Sequence, residues 1–208
     1  MKVLMLNGSP HEKGCTYTAL MEVAGELEKA GIQTEIMHVG GDLVHGCMGC
    51  GACSKLGRCI YDQDKVNEAV EKMKEAQGLI VGSPVHYASA GGAITSFLDR
   101  FFYSGGAYAA HKPAAAVASA RRAGTTATLD QLNKYFMISQ MPVVSSQYWN
   151  MVHGGCPEDV RKDEEGLQIM RVLGRNMAWL LQSIEAGKAS GIAVPEMEKE
   201  KKRTNFIR

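Results

Sequence analysis

The chain has 208 residues, enough to bury a core of its own, and its 45% hydrophobic and 22% charged content fits neither a disordered chain nor a membrane protein. Its 23 basic side chains against 22 acidic ones leave a net charge of +1, so no basic field gathers nucleic acid and no strongly acidic surface docks on basic partners. No apolar run approaches the ~20 residues of a membrane span. Met1 to Leu6 passes directly into Asn7-Gly8-Ser9-Pro10 without a signal-peptide h-region, which predicts a cytoplasmic protein.

Lys2 to Leu6 is a short apolar run closed by Gly8 and Pro10, the pattern of a buried strand. Leu20, Met21, Val23, Ala24, Leu27 and Ala30 then recur at three- and four-residue spacing until Gly31, which predicts an amphipathic helix and its C-cap. Ile32 to Val39 reads as a second strand. Val66, Ala69, Val70 and Met73 mark a helix that begins near Asp62 or Asp64 and closes by Gly78. Leu79 to Ser83 is the third strand, and Ile94, Phe97, Leu98 and Phe101 line the next helix. Ala114 to Ser119 is the fourth strand, followed by a helix on Leu129, Leu132, Tyr135 and Phe136. Val143 to Ser145 is taken as the fifth strand. A long closing helix runs through Leu167, Met170, Leu173, Met177, Leu180, Leu181 and Ile184 to Gly187.

Five β-then-α units in succession require a parallel, doubly wound sheet with right-handed crossovers and helices on both faces. One domain is expected over residues 1–195, with a charged tail over 196–208 that is either solvated or an arm whose Phe206 docks on a neighbouring subunit.

In such a sheet, ligands sit at the carboxyl ends of the strands, where helix N-termini attract phosphate. The first of these junctions is Asn7-Gly-Ser-Pro-His-Glu-Lys-Gly-Cys-Thr16. Gly8 and Gly14 let backbone N–H groups turn inward, while Ser9, Thr16 and Thr18 add hydroxyl donors. Its spacing matches neither the dinucleotide G-x-G-x-x-G nor the P-loop, so a phosphate monoester held mainly by neutral donors fits better. At the third junction, Pro84-Val85-His86-Tyr87 followed by Ala88, Ser89, Ala90, Gly91 and Gly92 forms a flat ledge for a planar ring, unless Tyr87 merely packs at the rim. The fourth junction, Ser119 to Thr126, is another donor-rich turn through Gly124. Its Arg121 and Arg122 are either solvated or placed to meet a cofactor, such as the phosphates of NADPH.

Six cysteines in a reducing compartment are thiols, metal ligands or redox groups rather than a disulfide frame. Cys47, Cys50, Cys53 and Cys59 lie on a Gly-rich stretch in the pattern C-x2-C-x2-C-x5-C, too tight for the paired ligands of a zinc site. Such spacing can wrap a [4Fe–4S] cluster, or it forms a cysteine-lined active-site loop. Cys15 reads as a helix-start packing residue and Cys156 as a surface thiol. Tyr148 to Gly155 reads as an aromatic and polar loop in which Trp149 packs and Asn150 and His153 face an acceptor.

Asn7-Gly-Ser-Pro with Gly14-Cys-Thr16, Pro84-Val-His-Tyr87 with Phe97-Leu-Asp-Arg100, and the Ser119–Thr126 turn together resemble the flavodoxin-like NAD(P)H-dependent FMN reductase family over nearly the whole chain. The cysteine spacing is similar to the compact motif of archaeal iron–sulfur flavoproteins. The resemblance implies a five-stranded sheet in 2-1-3-4-5 order with FMN at the β1/β3 switch point. Ser9, His11, Thr16 and Tyr17 would then be phosphate-loop residues, and Pro84, Val85, His86 and Tyr87 the ledge against the isoalloxazine. His11 stands where relatives commonly carry Arg, Cys15 where they carry Asn, and His86 where they carry Tyr; stacking would then pass to Tyr87. The implied activity is electron transfer from NAD(P)H through FMN to a quinone, a flavin or another small acceptor. The alternative is one-electron transfer with a [4Fe–4S] cluster on the four cysteines. A homodimer or homotetramer is expected, because the flavin edge of a single such domain is open.

Overall fold

The computed structural model describes residues 1–196 together with Glu198, Glu200, Lys202 and Thr204; the tail residue Phe206 lies outside the described residues. The elements run β1 (Lys2–Asn7), α1 (Cys15–Lys29), β2 (Gln33–His38), α2 (Cys53–Leu56), α3 (Val66–Glu75), β3 (Gly78–His86), β4 (Ser89–Ala90), α4 (Gly92–Gly105), β5 (Ala114–Ala120), α5 (Thr125–Ile138), β6 (Met151–His153), α6 (Pro157–Val160) and α7 (Glu164–Ala189). Five strands pair in parallel in the spatial order β2-β1-β3-β5-β6, while β4 adds a two-residue antiparallel hairpin to the end of β3. With β4 set aside this is the 2-1-3-4-5 order, so the flavodoxin-like doubly wound sheet is the fold.

Alternation along the central strands explains the layers. In β1, Leu4 and Leu6 join a core with Val70, Met73, Phe97, Phe101 and Phe136, under α3, α4 and α5. Val3 and Met5 point the other way, into a core with Leu20, Leu27, Leu173 and Met177 under α1 and α7. A strand buried on both faces must be apolar throughout rather than alternating, which is why these strands read as continuous hydrophobic runs.

The fifth strand is a correction. Val143 makes only an isolated bridge to Ala114, and the edge strand proper is Met151–His153, paired with Ala118 to Ala120. The chain joins the sheet edge at Val144, whose N–H donates to Ala114 O (2.8 Å), leaves it over the polar run Ser145 to Gln147, and returns with Asn150 O accepting from Ala118 N–H (2.9 Å). An edge strand has a partner on one side only, so the excursion between Val144 and Asn150 costs few ladder bonds. The stretch read as a loop over Tyr148–Gly155 therefore contains the edge strand. Asn150 is buried and its amide points to Val144 O (3.4 Å), not toward an acceptor.

Candidate functional site

Three helices, α1, α4 and α5, begin beyond the carboxyl ends of the adjacent strands β1, β3 and β5. Their N-caps are Gly14, Gly91 and Gly124; no side chain caps any of them, and none has an acidic residue in its first turn. Helix α7 shows the contrast, with the Asp163 carboxylate accepting from Gly166 N–H and Glu164 and Glu165 in the first turn. The uncapped amides and positive dipole ends of three helices thus converge on one edge, where they favour an anion.

The loop between β1 and α1 is built before any ligand arrives. Asn7 is fully buried; its Oδ1 accepts from Ser9 N–H (3.1 Å) and its Nδ2 donates to Glu12 O (2.9 Å). Gly8 N–H donates to Gly82 O (2.8 Å), tying the loop to β3. Ser9 Oγ accepts from His11 N–H (3.1 Å), which leaves its own hydroxyl proton to give. His38 Nε2 meets Ser9 O at 2.8 Å, and since a carbonyl only accepts, that nitrogen carries the proton. Thr16 is buried, its hydroxyl 2.8 Å from that of Ser119, so it ties the start of α1 to the end of β5. Thr18 Oγ1 donates to Gly14 O (3.1 Å). His11 is exposed on the outer rim and Tyr17 is half-buried.

The ledge takes the form of a hairpin. Pro84 and Val85 are half-buried at the end of β3, and the tight turn to β4 is made by Tyr87 and Ala88, with φ values of 50° and 59°. Two-residue turns with positive φ at both positions normally use Asn-Gly, so two side chains here are strained. Gln131 of α5 holds the turn: its Oε1 accepts from Ser89 Oγ (2.5 Å) and from Ala90 N–H (3.0 Å). Gly124, at φ 91°, packs so closely that a Cβ there would lie 2.6 Å from Ala88 Cα. The result throws Tyr87 wholly into solvent, at 106% relative exposure, beside the exposed His86. Arg121 and Arg122 are exposed in the next loop, and no carboxylate among the described residues pairs with them.

The cysteine segment lies between β2 and α3 and runs along α4. Cys47, Cys50, Cys53 and Cys59 together line one hollow of about 140 Å³, with Tyr61, Arg100 and Tyr103 among its walls. All four are free thiols. Gly49, Gly51 and Gly57 hold left-handed φ values of 63°, 70° and 66°, and a side chain at any of them would be strained. Among the described residues, no three His, Cys, Asp or Glu side chains converge to hold a single metal ion. A cuboidal cluster does not ask them to, since each thiolate binds its own iron at a separate corner. The donor set and the hollow, equal to the liquid share of about five waters, fit such a group.

Residues 1–155 match the family described as NADPH-dependent FMN reductase. The chain belongs to that family. It is 31% identical over 193 residues to an iron–sulfur flavoprotein of Methanocaldococcus jannaschii, an alignment that covers 89% of this chain and 100% of that one. Among solved structures it is similar to RosB with a bound 8-demethyl-8-formylriboflavin-5′-phosphate intermediate (TM-score 0.68, 15% identity, 100% of this chain and 94% of that chain). It is also similar to a flavodoxin from the domain Archaea (TM-score 0.59, 16% identity, 88% and 99% covered). The protein is thus a flavin-dependent oxidoreductase of flavodoxin-like fold that carries the compact cysteine motif. No helix among the described residues is long and apolar enough to cross a membrane.

Several residues that build the edge of this FMN reductase-family fold carry no role in the sequence reading. Asn7 had a signal, because Asn before Gly-Ser-Pro at a strand end favours a local side-chain turn. Arg100 also had one: it stands within the apolar stripe Phe97, Leu98, Phe101 of α4, where only an apolar residue or a paired charge belongs. His38 and Gln131 had none, since their partners lie 29 and at least 41 residues away in the chain.

Proposed function

We propose that the protein binds FMN at the edge formed by the β1, β3 and β5 loops and a [4Fe–4S] cluster on Cys47, Cys50, Cys53 and Cys59, and that it passes electrons between them. The observation that carries this reading is the placement of all four thiols around one hollow, against α4. The FMN phosphate would be held by Ser9 and the amides opening α1, with Thr18 fastening the helix start to Gly14 O, Thr16 and Ser119 bracing the loops, and His11 and Tyr17 at the rim. Pro84, Val85, His86, Tyr87 and Ser89 would border the ring, with Gly124 allowing its loop to approach. Bound flavin supplies both two-electron and one-electron chemistry, while the protein's part is binding, orientation and tuning. Arg100 lies eight residues along α4 from Gly92, roughly 12 Å at the helical rise, so the cysteine hollow sits one helix-length segment from the ligand edge.

A second reading, a plain NAD(P)H-dependent reductase delivering electrons to a quinone, flavin or other small acceptor, is favoured by the exposed Arg121 and Arg122, without a carboxylate partner among the described residues, beside the uncapped start of α5, where a nucleotide phosphate would find charge. The exposed Tyr87 and the exposed Tyr148 and Trp149 also support assembly as a homodimer or homotetramer. Anaerobic purification decides among these readings. Near-stoichiometric FMN and four irons per chain with little NAD(P)H consumption supports electron transfer. FMN without iron, with steady NAD(P)H turnover, supports the plain reductase. A fully active monomer by light scattering removes the assembly.

A further inference from the structure

Arg100 is the largest fully buried side chain among the described residues, its side chain 1% exposed. Burying a charge is costly, and a buried ion pair is often no more stabilising than apolar packing of the same volume. The position lies in an apolar stripe that Leu or Met would fill. What the guanidinium provides instead is five donors in a fixed fork. Nη1 pairs with the Asp64 carboxylate and donates to His45 O (3.3 Å), and Nη2 donates to Tyr61 O (2.8 Å). Nε donates to Cys59 Sγ (3.1 Å). One side chain on α4 therefore grips the segment before its first cysteine, at its last cysteine and after it.

The Sγ contact is not needed to place Cys59. Asn67 already holds that residue's backbone, accepting from Cys59 N–H (2.9 Å) and donating to Cys59 O (3.0 Å). The remaining effect of the Nε–H is on the sulfur itself.

We propose that Arg100 is a positioning and tuning residue of the cysteine site, whose Nε–H donates to the Cys59 sulfur and favours the reduced form of the cluster there, with Asp64 opposing it. This rests on the reading that the four cysteines hold a [4Fe–4S] cluster. Reduction adds an electron whose charge spreads onto the thiolate sulfurs. A donor hydrogen bond and a cation stabilise that form, and a carboxylate does the reverse. Removing the two partners of one ion pair must then move the potential in opposite directions. A purely structural clamp has no such sign.

The test is a redox titration of anaerobically isolated, FMN-loaded protein, with the cluster followed by EPR and the flavin couple followed by absorbance in the same sample. Arg100→Gln is expected to weaken the reduced cluster about tenfold, a fall of about 59 mV for a one-electron couple. Arg100→Lys, which keeps the charge but lacks the fixed Nε–H, should fall by less, and Asp64→Asn should rise. The flavin couple should move little. If Arg100→Gln fails to hold iron, the opposed signs of Arg100→Lys and Asp64→Asn still decide. Cluster potentials that do not move, or that move the same way in both, overturn the role of Arg100 while leaving the cluster in place. Wild-type protein without a cluster signal, even after anaerobic reconstitution, overturns the cluster reading and this inference with it.

Discussion

The loop that would hold the FMN phosphate is crossed by the chain leaving β2, and Gly40 is the point of closest approach. Its N–H and that of Val39 both donate to Asn7 O, at 3.1 and 3.0 Å. A Cβ at this position would lie 2.2 Å from Gly8 O, 2.3 Å from Gly8 C and 2.5 Å from Ser9 O. Carbon atoms rest at about 3.5–4.0 Å, so Gly40→Ala must drive two backbone segments apart by more than about 1 Å. No side chain is available to swing aside. Overpacking of this kind costs about 1–3 kcal/mol, and the displaced segment carries the Gly8–Gly82, Ser9–Asn7 and His38–Ser9 hydrogen bonds. If about 2 kcal/mol of that cost is felt by the phosphate donors, FMN binds about 30-fold more weakly at 1.4 kcal/mol per decade. Riboflavin, which lacks the phosphate, should lose little. Titrating apoprotein with both ligands by flavin fluorescence measures the ratio directly. A useful control is Gly25→Ala, in mid-α1 with nothing within 4 Å of the added Cβ, which should gain about 0.5–1 kcal/mol and leave FMN binding alone. FMN affinity within twofold of wild type in Gly40→Ala, or equal loss for FMN and riboflavin, would refute the assignment of this loop to the phosphate.

Three further outcomes follow from the same structure. Thr16→Val strands the buried Ser119 hydroxyl and should cost about 1–3 kcal/mol in urea unfolding, whereas adding Ser119→Ala should cost little more, because the second change removes the orphan. Ala88→Gly relieves a left-handed residue at φ 59° and should raise stability by about 1 kcal/mol, measured by chemical denaturation; a loss instead would mean the turn is unstrained. Lys2 and Lys72 hold the Glu35 carboxyl below its ordinary value. A depressed folded value contributes stability above the unfolded value, near 4.3, that is lost as pH falls through the folded one. Glu35→Gln should therefore cost about 0.5 kcal/mol at pH 7 for this partly exposed pair, and its melting curve should merge with that of wild type in acid.

The order of strands and helices was legible because a strand buried on both faces has to be apolar without interruption, and Val3 to Leu6, Leu79 to Val81 and Ala114 to Ala118 are so. The glycine-rich turns at Asn7 to Thr16 and Ser119 to Thr126 marked the candidate ligand edge for a local reason as well: a glycine at the N-cap has no side chain to cap the helix, which leaves the N-terminal amides open and the backbone within reach. The cysteine spacing placed four thiols on one loop, and local spacing could carry that much. What spacing could not carry was everything set by residues distant in the chain. The edge strand at Met151 to His153 depends on Ala118 to Ala120 receiving it, whereas Val143 to Ser145, apolar enough to look like a strand, finds a single bridge. The positive φ of Tyr87 and Ala88 persists because Gln131 and Gly124 of another unit hold it. Arg100 stands among phenylalanines in the sequence, and only the packed fold brings it against Cys59, His45, Tyr61 and Asp64. Periodicity reports which face of an element is buried. Which polar group meets which inside that burial is decided by tertiary contacts, because a buried donor is satisfied by whichever acceptor the fold delivers to it.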